Sequence, residues 1–116
     1  MAHTAYGYLA LEDDDETEIE RLHDLLTAHA AAEGLTLAEV IVDRNTSPGR
    51  IVRASLTVLL DAVLRAEGCR VLVPHPDALS PVPAVRRSIT VEIEGLGATL
   101  SYLTDSLPAS RPPRHR

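Results

Sequence analysis

The sequence predicts an α/β fold, a small open, mostly parallel sheet of four to five strands with helices on both faces. Two observations predict it. Short apolar runs alternate along the chain with segments of helical periodicity, an order that builds a parallel sheet through right-handed crossovers. One of those runs, Arg70 to Val73 (RVLV), is almost uninterrupted in its apolar character, as strands buried on both faces are. A chain of 116 residues has room for one domain around a single core.

Taken in order, Tyr6 to Leu11 reads as the first strand, aromatic and aliphatic and stopped by charge. A helix is expected from about Asp15 to Ala32, with Ile19, Leu22, Leu26 and Ala30 on one stripe and Leu25 widening it. Acids crowd its first turn, where the helix dipole favours them, and Gly34 is its expected stop. Leu37 to Val42 is the second strand, followed by a polar loop from Asp43 to Arg50. From about Arg53 to Glu67 a second helix presents Leu56, Leu59, Leu60, Val63 and Leu64, closed by Gly68. After the third strand, HPDALSPVP reads as a loop with three prolines.

Val85 to Glu94 carries two opposed signals. SITVEIE alternates and is β-branched, which favours a strand by local propensity. Its place between the third strand and the Gly95/Gly97 break requires a crossover, so a helix is the expectation, with a last strand at Leu100 to Leu103. The domain is expected over residues 1–105, and the Pro- and Arg-rich residues 106–116 form an expected disordered tail.

Composition narrows the function classes. Trp, Phe, Lys and Gln are absent, and all eleven basic residues are Arg; with the many Ala and Pro residues this resembles the coding bias of a GC-rich, bacterial genome. Three of the Arg residues (Arg111, Arg114 and Arg116) lie in the last six positions. Residues 1–110 therefore hold eight Arg against seventeen acids, a net charge of −9. Such a body repels nucleic-acid phosphates, so direct DNA binding is not expected. Cys69 is the only cysteine, which excludes an internal disulfide and reads as a buried core residue of a cytoplasmic protein. The first residues are not expected to form a signal peptide, and no run approaches the roughly 18 apolar residues that span a membrane.

Seven carboxylates stand among the nine residues from Glu12 to Glu20, directly after the first strand, and ligands of open α/β sheets bind at strand ends. A Mg²⁺ site of the receiver-domain type would draw on Asp13, Asp14 and Asp77. The lysine of such sites has no counterpart here, and a helix start splays carboxylates that Mg²⁺ needs convergent, so no metal or other cofactor is expected. No phosphate-binding glycine loop occurs. His23 and His29 are six residues apart and share no ligand-spaced face; His29 reads as half-packed, and His75 as a loop residue. Asp43, Arg44, Ser47, Arg50 and Arg53 could form an anion-binding edge, with Arg50 and Arg53 as clamps, or a solvated loop in which Asp43 pairs with an Arg.

With the elements in order, residues 5 to 103 resemble the catalytic domain of serine recombinases, the resolvase/invertase family. AYGYLAL is similar to that family's opening Y-x-R-V-S strand. ERLHDLLTAHAAAEGLTLAEVIVDRNTSPGRIVRASLTVLLDAV resembles its first helix, second strand, Asp-containing loop and R-P-x-L helix start. VLVPHPDALSP stands in place of a strand ending in L-D-R-x-x-R, and EIEGLGATLSYL resembles an L-x-x-x-G-x-x-L segment. The resemblance implies a three-layer, flavodoxin-like arrangement. It also implies a site built for phosphoryl transfer, in which a Ser attacks a DNA phosphate among several Arg residues.

Carried over by position, the nucleophile falls on Glu12 and the preceding Arg on Ala10, while the paired arginines fall on Ala78 and Pro81. Asp43, Arg53 and Asp77 match retained positions. The family's oligomerisation helix and DNA-binding domain have no counterpart in the residues after Leu103. The expectation is a catalytically degenerate, non-enzymatic resolvase-like module that acts as a regulatory or interaction domain on a protein partner or a second copy of itself. The alternative is a small-anion or Mg²⁺-binding, receiver-like sensor.

Overall fold

The structure is a computed structural model and describes residues 3–47, 49–50, 53–66 and 68–103. Its elements run β1 (His3–Ala10), α1 (Glu16–Ala32), β2 (Leu35–Asp43), α2 (Ala54–Ala66), β3 (Arg70–Val73), α3 (Pro76–Leu79), α4 (Pro83–Gly95) and β4 (Thr99–Tyr102). The four strands form one sheet in the order β2-β1-β3-β4, and every neighbouring pair is parallel. Strand order reverses direction at β1, so the crevice beyond the carboxyl ends of β1 and β3 is the switch point of the fold.

The alternation of β1 sorts its side chains onto two helical layers. Ala5 and Leu9, with Leu72 of β3, pack against Ile19, Leu22, Leu26 and Ala30 of α1. Tyr8 and Ala10, with Ile41, Val71 and Val73, face Leu56, Leu59 and Val63 of α2 and Val85, Ile89 and Ile93 of α4. Each helix thus contributes apolar residues at three- and four-residue spacing to one core, which is where most helical stability comes from.

α1 begins at a true cap. The Asp15 side chain accepts from the backbone N–H of Thr17 (3.0 Å) and Glu18 (3.2 Å), meeting two donors that the helix itself leaves open. It ends at Gly34, whose φ of 72° is the left-handed conformation glycine adopts without strain. α4 opens on Pro83, whose fixed φ suits a first helical turn. The β-branched run is helical because Val85, Ile89 and Ile93 fall four apart on the buried side, leaving Val91 at 66% exposure.

Some expected boundaries and faces differ. β1 starts earlier and stops at Ala10, because the strand pairs with β2 from His3↔Leu35 to Ala10↔Asp43. Ala38 is an extra residue on β2, where the register shifts between Ala5↔Leu37 and Tyr6↔Glu39. Asp43, expected to open a loop, is the buried last residue of β2. The stretch HPDALSPVP contains the short helix α3, which Pro76 starts and which buries Ala78 and Leu79. Leu25 and Leu64, expected on the buried stripes, are 43% and 57% exposed. Residues 106–116 lie outside the described residues. Among the described residues no helix is long and apolar enough to cross a membrane.

Gly7 lies on the face that meets α1. A Cβ there would stand 2.9 Å from Leu26 Cδ1 and 3.1 Å from Val40 Cγ2, so both neighbours would have to yield. Gly7→Ala is expected to destabilise the protein by about 1–3 kcal/mol, as overpacked cores are, read as a lowered urea midpoint with an unchanged slope.

Candidate functional site

The carboxyl ends of the strands frame a cavity of about 400 Å³ at the switch point. The end of β1 and the segment after it deliver Ala10, Leu11, Glu12 and Asp13 to its wall. The segment after β2 supplies Thr46 and Ser47, and Arg53 enters from the residue before α2. The β3–α4 connection contributes His75, Asp77, Leu79, Ser80 and Pro81.

Behind this wall lies a buried polar network joining four segments. The Tyr8 hydroxyl donates to Asp43 Oδ2 at 2.6 Å. Asp43 Oδ1 accepts from the Ser55 backbone N–H at 2.9 Å, placing a carboxylate at the N-terminus of α2, where the helix dipole favours it. Arg53 donates through Nη1 to the Tyr8 hydroxyl (3.3 Å) and the Leu79 carbonyl (2.6 Å), and through Nε to the Arg50 carbonyl (2.8 Å). Burial, and then the hydrogen bond to Asp43, push the Tyr8 phenol far above its ordinary pKa, so it stays a neutral donor.

The acidic run after β1 divides by function. Asp15 caps α1, Asp14 and Glu16 both pair with Arg44, and Glu18 pairs with Arg21 at 2.7 Å. The Arg21 hydrogen bond holds the Glu18 carboxyl below its usual range. Glu12 and Asp13 are left facing the cavity, and neither has a side-chain hydrogen bond or ion pair among the described residues. Asp77 stands 3.6 Å from Arg86, which also donates to the Ser80 carbonyl. Among the described residues no three His, Cys, Asp or Glu side chains converge as metal ligands.

The sequence-derived positions separate accordingly. Ala10, Glu12, Arg53, Asp77 and Pro81 share one cavity, whereas Ala78 is buried in the core beneath it. Arg53 is 3% exposed and Asp43 is buried, so neither belongs to a solvated loop, and Asp43 bonds to a tyrosine rather than an arginine. Arg50 is exposed and does not line the cavity; its carbonyl, not its guanidinium, takes part. Ser47 lines the cavity, and Arg44 serves the acids of α1. Cys69 is a buried core residue whose thiol is pushed up in pKa by burial.

Tyr8, Thr46 and Ser80 did not emerge from sequence reasoning. For Tyr8 a signal existed, since it occupies the Tyr of the Y-x-R-V-S resemblance. His75 was seen only as a loop residue, yet it lines the cavity, and its Nδ1 is sealed from solvent without a hydrogen-bond partner among the described residues.

No family model and no curated protein matches the chain on sequence. Solved structures do match in three dimensions. The catalytic domain of ISC1926 TnpA, an IS607-like serine recombinase, is 24% identical with a TM-score of 0.74 over 88% of this chain and 71% of its own. The N-terminal catalytic domain of TP901-1 integrase is 20% identical, with a TM-score of 0.76 over 86% of this chain and 77% of its own. The first open reading frame of transposon ISC1904 from Sulfolobus solfataricus P2 is 17% identical, with a TM-score of 0.69 over 92% and 71%. The likeness is one of fold: this chain has the α/β architecture of serine recombinase catalytic domains.

Two outcomes are expected from the network and its neighbour. Tyr8→Phe removes the donor to Asp43 and an acceptor of Arg53 and should cost about 1–3 kcal/mol in urea unfolding. Burial holds the His75 imidazole below its ordinary pKa, outweighing the opposing pulls of Asp77 and Glu18. The unfolded chain therefore takes up the proton first. Stability should be full above about pH 6.5 and fall as the pH drops from there towards the lowered value. His75→Asn should remove that part of the acid-side slope in urea midpoints measured from neutral to mildly acid pH.

Proposed function

We propose that this resolvase-like domain works by binding, as a regulatory or interaction module on a protein partner or a second copy of itself, and does not carry out DNA strand transfer. The observation that carries the reading is Glu12. At the end of β1 it lines the switch-point cavity together with Asp13 and Asp77, at the position where the resemblance puts a nucleophilic Ser. Attack on a phosphodiester needs a hydroxyl and cations placed around the developing charge. Here three carboxylates meet one lining guanidinium, Arg53, whose Nε and Nη1 already serve the protein's own acceptors.

The related structures are named as transposon, integrase and IS607-like recombinase proteins, so the partner sought first is a protein of a DNA-recombination or DNA-maintenance system. The exposed acidic start of α1 favours a partner with a basic surface, with an association that weakens as salt rises.

Incubation with supercoiled DNA followed by denaturing electrophoresis should show neither strand breaks nor a covalent protein–DNA product. Such a product, abolished by Ser47→Ala or Ser80→Ala, would overturn the reading, because those are the hydroxyl side chains of serine that border the cavity. On the binding side, light scattering of the purified chain and salt-graded capture from the native host should reveal a dimer or a retained basic protein. A strict monomer that retains nothing would count against it.

A further inference from the structure

The switch-point cavity holds unmet charge of both signs, and this points to a ligand different from a phosphate or a metal ion. We propose that it is a site for a small aliphatic α-amino acid, with the ligand carboxylate on Arg53 and the ligand ammonium on Glu12 and Asp13. The inference goes beyond the binding reading above and does not depend on which macromolecule the domain contacts.

The positive side rests on Arg53. A guanidinium buried to 3% exposure is almost always paired with a carboxylate, because an isolated charge is costly away from water. Among the described residues Arg53 has no ion pair, and its hydrogen bonds all go to neutral oxygens: two carbonyls and the Tyr8 phenol. Its nearest compensation is Asp43, one hydroxyl away through Tyr8. Those bonds use Nε and Nη1. Among the described residues Nη2 has no partner, it is not among the atoms sealed from solvent, and Arg53 lines the cavity. A carboxylate reaching Nη2 would supply a direct counter-charge.

The negative side rests on Glu12 and Asp13, which differ from the rest of the acidic run. Asp14, Glu16 and Glu18 have arginine partners, Asp15 has its helix N-terminus and Glu20 is exposed on α1 away from the cavity, whereas these two have no side-chain partner among the described residues and line the cavity. Asp77, already near Arg86, reinforces the negative side. The same cavity is lined by the hydroxyl-bearing Thr46 and Ser47 and by Ala10, Leu11 and Pro81, which offer apolar surface suited to an aliphatic side chain.

Simpler ligands meet only half of this arrangement. An inorganic anion would satisfy Arg53 against the repulsion of three carboxylates. An amine would satisfy the carboxylates and leave Arg53 as it is. A divalent cation finds no convergent three-ligand group among the described residues. A molecule with both charges a few bonds apart offers a partner to each sign of lining charge, and a cavity of about 400 Å³ holds one such molecule.

Calorimetric titration and thermal melting of the full chain with L-valine and L-leucine test this, beside isobutyrate, isobutylamine, inorganic phosphate and Mg²⁺. The amino acids should bind with one site and raise the melting temperature, at least about tenfold more tightly than the matched acid or amine. The double change Glu12→Gln and Asp13→Asn removes no side-chain hydrogen bond or ion pair among the described residues, so it should leave the melting temperature of the free protein unchanged and weaken amino-acid binding by at least about tenfold. Arg53→Lys, if it folds, should also weaken it. The proposal is overturned if neither amino acid binds, if isobutylamine or phosphate binds as tightly, or if the double change leaves amino-acid binding intact. A blank titration would leave the protein-partner reading standing, and a failed partner search would leave this site standing.

Discussion

A buried carboxylate and a buried guanidinium that share a phenol hold the carboxyl end of this sheet together. Tyr8 on β1, Asp43 at the end of β2 and Arg53 before α2 lie 35 and 45 residues apart in sequence for the two contacts that Tyr8 makes. Their desolvation is tolerable only because each polar atom used has a partner: Asp43 is met by Tyr8 and by the α2 N-terminus, and Arg53 by three oxygens. Because Leu79 supplies one of those oxygens, the network also fixes where α3 sits relative to β1. The shape of the switch-point cavity follows from that placement.

The dense acidity after β1 is several local solutions rather than one site. One aspartate satisfies the backbone donors of α1, two acids share Arg44 across a gap in sequence, and one pairs along its own helix with Arg21. These pairs are well exposed, and exposed ion pairs add little to stability. They do, however, set the path of the chain from β1 into α1. Besides the exposed Glu20, what remains is the pair Glu12 and Asp13 at the cavity, where charge has chemical meaning because a ligand could meet it.

The likeness to recombinase catalytic domains at 17–24% identity illustrates how little of a fold depends on its chemistry. Two apolar layers around a four-stranded parallel sheet need only suitable volumes at alternating strand positions and helical stripes. Residues at the strand ends are free of that demand, and function is decided there. The same sheet can therefore carry different residues at its strand ends while the fold is kept.

Much of the architecture was legible because it is periodic. The alternation of β1 sorts Leu9 from Tyr8, while the helix over the β-branched segment was legible from the crossover it must make, and the structure shows Val85, Ile89 and Ile93 four apart on its buried side. The four-residue α3 was not legible, since it is too short to show a period between its flanking prolines. At the site, the sequence by itself determined which residue types stand at the ends of the strands, including Glu12, Asp77 and Pro81. It could not distinguish Arg50 from Arg53, two arginines three apart in one polar stretch. Only the tertiary structure decided that Arg53 is interior and Arg50 exposed, because burial and counter-charge depend on residues that the β2-β1-β3-β4 order brings together from distant parts of the chain.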